Sequence, residues 1–319
     1  MTEIQDDINA KHDVDIDVLD ALLALEEHGL VYAVDGTVIG DDNSVSFSKG
    51  IKIITSILFS KTAIGVYCLC MLFLLSNFFF WYKPIVKSIV IIEGRPGLSL
   101  MLFFVISWFV TLWHELGHYL AAVNLGVYPK LRLSLRFCFL VAETDINGIW
   151  ALPMQERDIC YLAGILFESV LGCACIYVLA NNMILANICE VIILVISMNY
   201  LWQLIISMRT DLYLIILNHL NIGSLHSISI KNFRKLLKEK ENVMEKYQYV
   251  YIAFFLAGLV FSVVYTVYNA VIYYSLIEDV ATNYKNGTVY YWDTFLLISF
   301  FGLGIYLWIC GFKNRMEGE

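Results

Sequence analysis

Apolar and polar residues fall in long blocks along this chain. A polar, acid-rich stretch fills residues 1–61. Six apolar runs follow at about 62–82, 98–122, 158–181, 184–207, 249–275 and 291–312. Each is near the ~20 residues that a helix needs to cross a hydrocarbon core. The third and fourth are parted only around Asn181-Asn182-Met183, which predicts a tight antiparallel pair. Between the second and third, Lys130-Leu131-Arg132-Leu133-Ser134-Leu135-Arg136-Phe137 alternates with period two and predicts a strand. In the polar head, Asp15–Gly29 reads as a helix. Ile16, Leu19, Leu22 and Leu23 share one face, acids crowd the first turn and Gly29 can cap the end. Asp35-Gly36 between Leu30–Val34 and Thr37–Ile39 predicts a hairpin. The expected fold is an all-α polytopic membrane protein. It has about six transmembrane helices, a short β element between the second and third, and a small helix-plus-hairpin head. The expected divisions are 1–61, a membrane domain over 62–312 and a tail over 313–319.

Composition sharpens this picture. Of 319 residues 59% are hydrophobic and 16% charged, where a soluble domain carries roughly a quarter charged. The net charge of -8 reflects acids gathered in the head, so it names no partner. The opening residues are too polar for a secretory signal, and the first span is expected to direct insertion. With the head cytoplasmic, only Lys83, Lys87, Arg95 and Lys285 of the 21 Lys and Arg fall outside, so both termini are expected in the cytoplasm. Lys231–Lys240, basic with apolar residues at helical spacing, predicts a helix lying on an anionic lipid surface. The basic surface is far too small for nucleic acid. Of the eight cysteines none forms a CxxC pair, and most lie in apolar runs, so they are expected to be small buried hydrophobes.

The candidate chemistry sits at the end of the second run, as His114-Glu115-Leu116-Gly117-His118. Four residues apart on a helix, the histidines share a face and can hold one zinc ion. Glu115 is placed to take a proton from water at the ion's open position. Zinc requires neutral imidazoles, so its binding weakens in acid. A catalytic site needs a third protein ligand, and Asp145, Glu168, Asp211, His219 and His226 are the candidates. His114 lies ~24 Å along its span at 1.5 Å per residue, toward the cytoplasmic side. The fourth run travels the same way and ends in Arg209-Thr210-Asp211-Leu212-Tyr213, which ranks Asp211 first. A carboxylate closing an apolar span is costly unless it meets a cation.

Together these residues resemble the site-2 protease family of intramembrane zinc proteases. They are the motif in an apolar helix, Ala163-Gly164-Ile165 early in the next span, and the late aspartate. The Arg209–Tyr213 element is similar to that of small bacterial members linked to bacteriocin and modified-peptide gene sets. The likeness covers residues 98–215, and Gln203, Ile206 and Leu212 stand where the family usually has Asn, Pro and Gly. The resemblance implies His114, His118 and Asp211 as zinc ligands and Glu115 as the catalytic acid/base. It implies a zinc-dependent endopeptidase in a bacterial cell membrane, cutting a membrane-associated or leader peptide near the cytoplasmic face. The expected role is maturation of a ribosomally made peptide, alongside a peptide-modifying enzyme or exporter. Regulatory cleavage of a membrane-tethered signalling protein, and a non-catalytic immunity or export factor, are the alternatives. The head resembles the C-terminal half of PqqD-like winged-helix domains that bind leader peptides, and it fits a plain solubilising tail as well. The Lys130–Phe137 strand is expected either to add an extended substrate to its edge or to form a plain interfacial hairpin.

Overall fold

The computed structural model describes residues 33–34, 37–38, 48–81, 95–136, 139–181, 185–206, 209–220, 225–239, 244–282 and 288–317. The chain divides into two compact units, Met1–Ile51 and Lys52–Glu319. In the first, β1 (Ala33–Val34) pairs antiparallel with β2 (Thr37–Val38), with Val34 opposite Thr37. That register leaves the two-residue connection that an Asp-Gly pair favours. The helix expected over 15–29 lies outside the described residues.

The rest is mostly helical. Helix α1 (Lys49–Leu58) is bent by 49° from α2 (Lys61–Trp81), and α3 (Pro96–Asn124) carries the histidine motif. Strands β3 (Lys130–Arg136) and β4 (Phe139–Asp145) follow, then α4 (Met154–Ala180), α5 (Ala186–Gln203), α6 (Asp211–Leu220), α7 (Leu225–Glu239), α8 (Lys246–Thr282) and α9 (Thr288–Glu317). Three helices are long and apolar enough to cross a membrane: Gly97–Asn124, Met154–Ala180 and Ala186–Gln203. A fourth span arises if α1 and α2 count as one bent crossing. Over 18 residues a helix rises about 27 Å, so even α5 nearly matches a hydrocarbon core of roughly 30 Å.

The contacts fix the helix directions. Trp113 Nε1 donates to the Phe167 carbonyl at 2.8 Å, while His118 meets Cys160, so α3 and α4 are antiparallel. Asn199 meets Glu168 and Ile196 faces Gly172, so α4 and α5 are antiparallel too. Tyr67 packs on Phe167 and Cys70 on Cys173, making α2 parallel to α4. Asp293 meets Gly97 and Phe300 meets Phe104, making α9 parallel to α3. The outer faces are apolar: Leu69 and Leu72 on α2, Val260 and Val263 on α8, and Ile298 and Ile305 on α9 are all exposed.

Among the described residues, two of three apolar clusters join α3 to α4. One joins Phe59, Ala121, Ala122, Tyr161, Ala163 and Phe167; the other joins Leu74, Val110, Cys175, Val191, Val195 and Ile196. Cys160, Cys175 and Cys189 are buried free thiols, as their apolar settings predict. The period-two stretch is strand β3, and the structure adds its antiparallel partner β4, in register from Lys130↔Asp145 to Arg136↔Phe139.

One boundary differs from the expectation. The fourth apolar run stops being helical at Gln203, and Asp211 opens a new helix instead of closing the old one. The hydrogen bonds explain the break. Thr210 Oγ1 donates to the Gln203 carbonyl at 2.9 Å, and the Gln203 side-chain oxygen accepts the Asp211 backbone N–H at 3.0 Å. Arg209 turns the chain with φ at 54°, a left-handed conformation uncommon outside glycine.

The start of α3 is anchored by a distant carboxylate. Pro96 sits in its first turn, where a missing N–H is harmless. Asp293 of α9, buried, accepts the Gly97 and Leu98 N–H groups at 2.8 Å each. An anion suits a helix N-terminus and satisfies two groups that no turn of the helix can reach. Asp293→Ala is therefore expected to destabilise the detergent-solubilised protein by about 2 kcal/mol, read as a lowered unfolding midpoint. Asp293→Asn, which keeps an acceptor, should lose less.

Candidate metal centre

The motif folds as a helix because the strongly apolar run carries through it. Its two histidines emerge one turn apart on the face that meets α4. His114, Glu115 and His118 are all buried, and their donor atoms lie within 4.8 Å of one another, so this group can hold a metal ion. Asp211 arrives from α6. Its Oδ2 lies 3.0 Å from His114 Nε2 and 3.4 Å from His118 Nε2, and the two Nε2 atoms are 3.0 Å apart. Ligands at ~2.0–2.2 Å from a tetrahedral zinc stand roughly 3.3–3.5 Å apart, so this triangle is close to one face of such a site.

The donor chemistry fits a cation as well. His118 Nδ1 donates to the Cys160 carbonyl at 2.8 Å, which leaves its Nε2 with a bare lone pair. His114 Nδ1 lies 3.2 Å from Glu168 Oε1. With its proton on Nδ1, His114 Nε2 joins His118 Nε2 and Asp211 Oδ2 as a third lone pair at one point. With the proton on Nε2, its Nδ1 lone pair faces a carboxylate. With Glu168 ionised, either neutral tautomer sets lone pairs against each other, and a cation among the three donors relieves the first arrangement.

Two glycines set the depth at which His114 meets α4. A Cβ on Gly117 would sit 2.6 Å from the Ala163 carbonyl oxygen, and one on Gly164 would collide with the His114 ring. The backbones of α3 and α4 therefore touch where the imidazole is seated. On the other side, Thr144 of β4 donates to Glu115 Oε2 at 2.7 Å and to its backbone carbonyl at 3.2 Å. The hairpin thus orients the motif's carboxylate. Asp211 is oriented by Gln203, whose Nε2 donates to Oδ2 at 2.8 Å. Its place in the first turn of α6 also favours negative charge.

The other candidates from the sequence are elsewhere. Asp145 pairs with Arg132 at 2.9 Å, and His219 pairs with Asp158 at 3.0 Å while remaining 58% exposed. His226 is partly buried on α7, with Nδ1 2.7 Å from the Tyr251 hydroxyl. Burial, then the charge of Arg209, holds its imidazole below the usual value. Glu168 is fully buried behind His114, not beside Asp211. The orienting roles of Thr144 and Gln203 have no sequence signature beyond a hydroxyl in an alternating strand and an amide eight residues before Asp211. No family model matches this chain, and no curated protein or solved structure shows a significant match.

Gly164→Ala tests the close approach directly. The added methyl must push α4 from the His114 ring, and overpacking of this kind costs roughly 1–3 kcal/mol. The expected result is a lower unfolding midpoint and loss of bound metal in the purified protein. Gly302→Ala on α9, where a Cβ meets nothing within 4 Å, should change neither.

Proposed function

We propose that this chain is a membrane-embedded zinc endopeptidase that cuts a membrane-associated or precursor peptide near the cytoplasmic face. The observation carrying the reading is the triangle of His114 Nε2, His118 Nε2 and Asp211 Oδ2, with edges of 3.0–3.4 Å, inside apolar helices. Two nitrogens and an oxygen at this spacing suit zinc. Three protein ligands would leave one position for water, and Glu115, held by Thr144 at 2.7 Å, has a carboxylate oxygen within 4.8 Å of the histidine donor atoms. The directions of α2, α3, α4, α5 and α9 and the Lys and Arg distribution support six crossings with both termini cytoplasmic.

When bound, zinc supplies Lewis acidity at that open position, acidifying water and polarising a carbonyl. The rest is the work of the chain. Thr144 orients the Glu115 carboxylate, which takes the proton from the attacking water and returns it to the leaving amine. A peptide must be extended to expose its bond. Among the described residues β3 pairs with β4 alone, and most of Lys130–Leu133 is exposed, so the free edge of β3 can take an extended segment as an added strand. Maturation of a ribosomally made bacterial peptide is the favoured setting, resting on the Arg209–Tyr213 element.

A metal-free protein would meet the same contacts with a doubly protonated His114 between Asp211 and Glu168, and zinc content separates the two. Purified protein is expected to hold one zinc per chain. Glu115→Gln should keep that zinc while cleavage of candidate peptides, followed by mass spectrometry, falls at least ~100-fold, the lower end for a lost general acid–base. Turnover at the original rate in this variant would remove the assigned role.

A further inference from the structure

Glu168 is a carboxylate with 0% exposure in the middle of α4, an apolar helix. An ionised carboxylate buried this deeply is costly without a cation, and no lysine or arginine is paired with it among the described residues. Its Oε1 accepts from Asn199 Nδ2 at 2.6 Å and lies 3.2 Å from His114 Nδ1. Its Oε2 has no hydrogen-bond partner among the described residues. The 3.2 Å contact to His114 is poorly aligned, since Nδ1 also counts as unpartnered. Carboxylate and imidazole therefore face each other with the hydrogen bond still to be drawn tight.

We propose that Glu168 is the positioning residue of the metal centre: it accepts the Nδ1 proton of His114 and so commits Nε2 to the metal. This deepens the zinc reading and rests on it. A histidine ligand commonly donates its second ring N–H to a carboxylate, which fixes its tautomer and makes it a stronger donor. Here His118 uses the Cys160 carbonyl for that purpose, and His114 uses Glu168. Asn199, on α5, holds the carboxylate from behind, so the helix that precedes Asp211 also steadies the ligand on α3.

Position supports the assignment, since Glu168 is seated beyond a ligand and not among the three donor atoms. Its contact runs to Nδ1 of His114, on the far side of the ring from the triangle.

The test compares wild type, Glu168→Gln and Glu168→Leu as full-length protein in detergent, with zinc affinity measured by chelator competition. Visible spectra of the Co2+-loaded proteins and unfolding midpoints are recorded alongside. Wild type is expected to bind one equivalent. Glu168→Gln should stay folded and lose roughly 10–100-fold in zinc affinity, with altered intensity of the Co2+ bands. Glu168→Leu should lose at least as much affinity or fail to fold. Both results from Glu168→Leu agree with the proposal, and Glu168→Gln decides it. Wild-type affinity and an unchanged Co2+ spectrum in folded Glu168→Gln would overturn the positioning role and leave the zinc site standing. A Glu168→Gln protein that fails to fold would also overturn it, showing a structural role instead. Absence of zinc binding in wild type would overturn both.

Discussion

Three electron-pair donors from two helices meet at one point in this protein, and the packing around them is organised to keep them there. His114 Nε2, His118 Nε2 and Asp211 Oδ2 lie 3.0–3.4 Å apart, in a bundle whose outer faces are apolar. Lone pairs at that spacing repel, and apolar surroundings offer little screening. The arrangement needs a cation or a shared proton among them. That requirement explains why each donor is braced by a separate contact: His118 by the Cys160 carbonyl, Asp211 by Gln203, and His114 by Glu168.

The same requirement accounts for features of the fold that would otherwise be unrelated. Gly117 and Gly164 bring α3 and α4 into backbone contact so that the His114 ring sits against α4. The break after Gln203 lets Asp211 start a helix, which points its carboxylate at the histidines with the positive helix end behind it. Had the fourth apolar run stayed helical, as its composition alone suggests, Gln203 could not have spanned both the backbone and the side chain of Asp211. Asp293, far along the chain, fixes the N-terminus of α3 and with it the axial position of the motif. Local strain at Arg209 and a buried carboxylate at Glu168 are tolerated because both serve the centre.

Much of this is legible in the residues themselves. Apolar blocks near twenty residues place the long helices, and period-two alternation places β3, because these patterns state which faces are buried. The histidine spacing locates the site because two imidazoles one turn apart share a face in any helix. The direction in which its segment runs ranks Asp211 above Asp145 and His219, which pair with Arg132 and Asp158 in the structure. Contacts made between helices are another matter. Glu168 follows His114 by 54 residues, Asn199 follows Glu168 by 31, and Asp293 follows Gly97 by 196. No periodicity within one element encodes such pairings. The end of α5 escapes a reading by composition for a related reason, since Gln203, Thr210 and Arg209 break the helix jointly through a hydrogen-bonded turn.

The proposed chemistry depends on which atoms would hold the ion. X-ray absorption at the zinc edge of the purified protein reads them most directly. The expected signal is a shell of about four nitrogen and oxygen neighbours at ~2.0–2.1 Å, with the outer-shell pattern of two imidazoles. Sulfur scattering at ~2.3 Å, which would bring in the cysteines, or a shell lacking imidazole would contradict it.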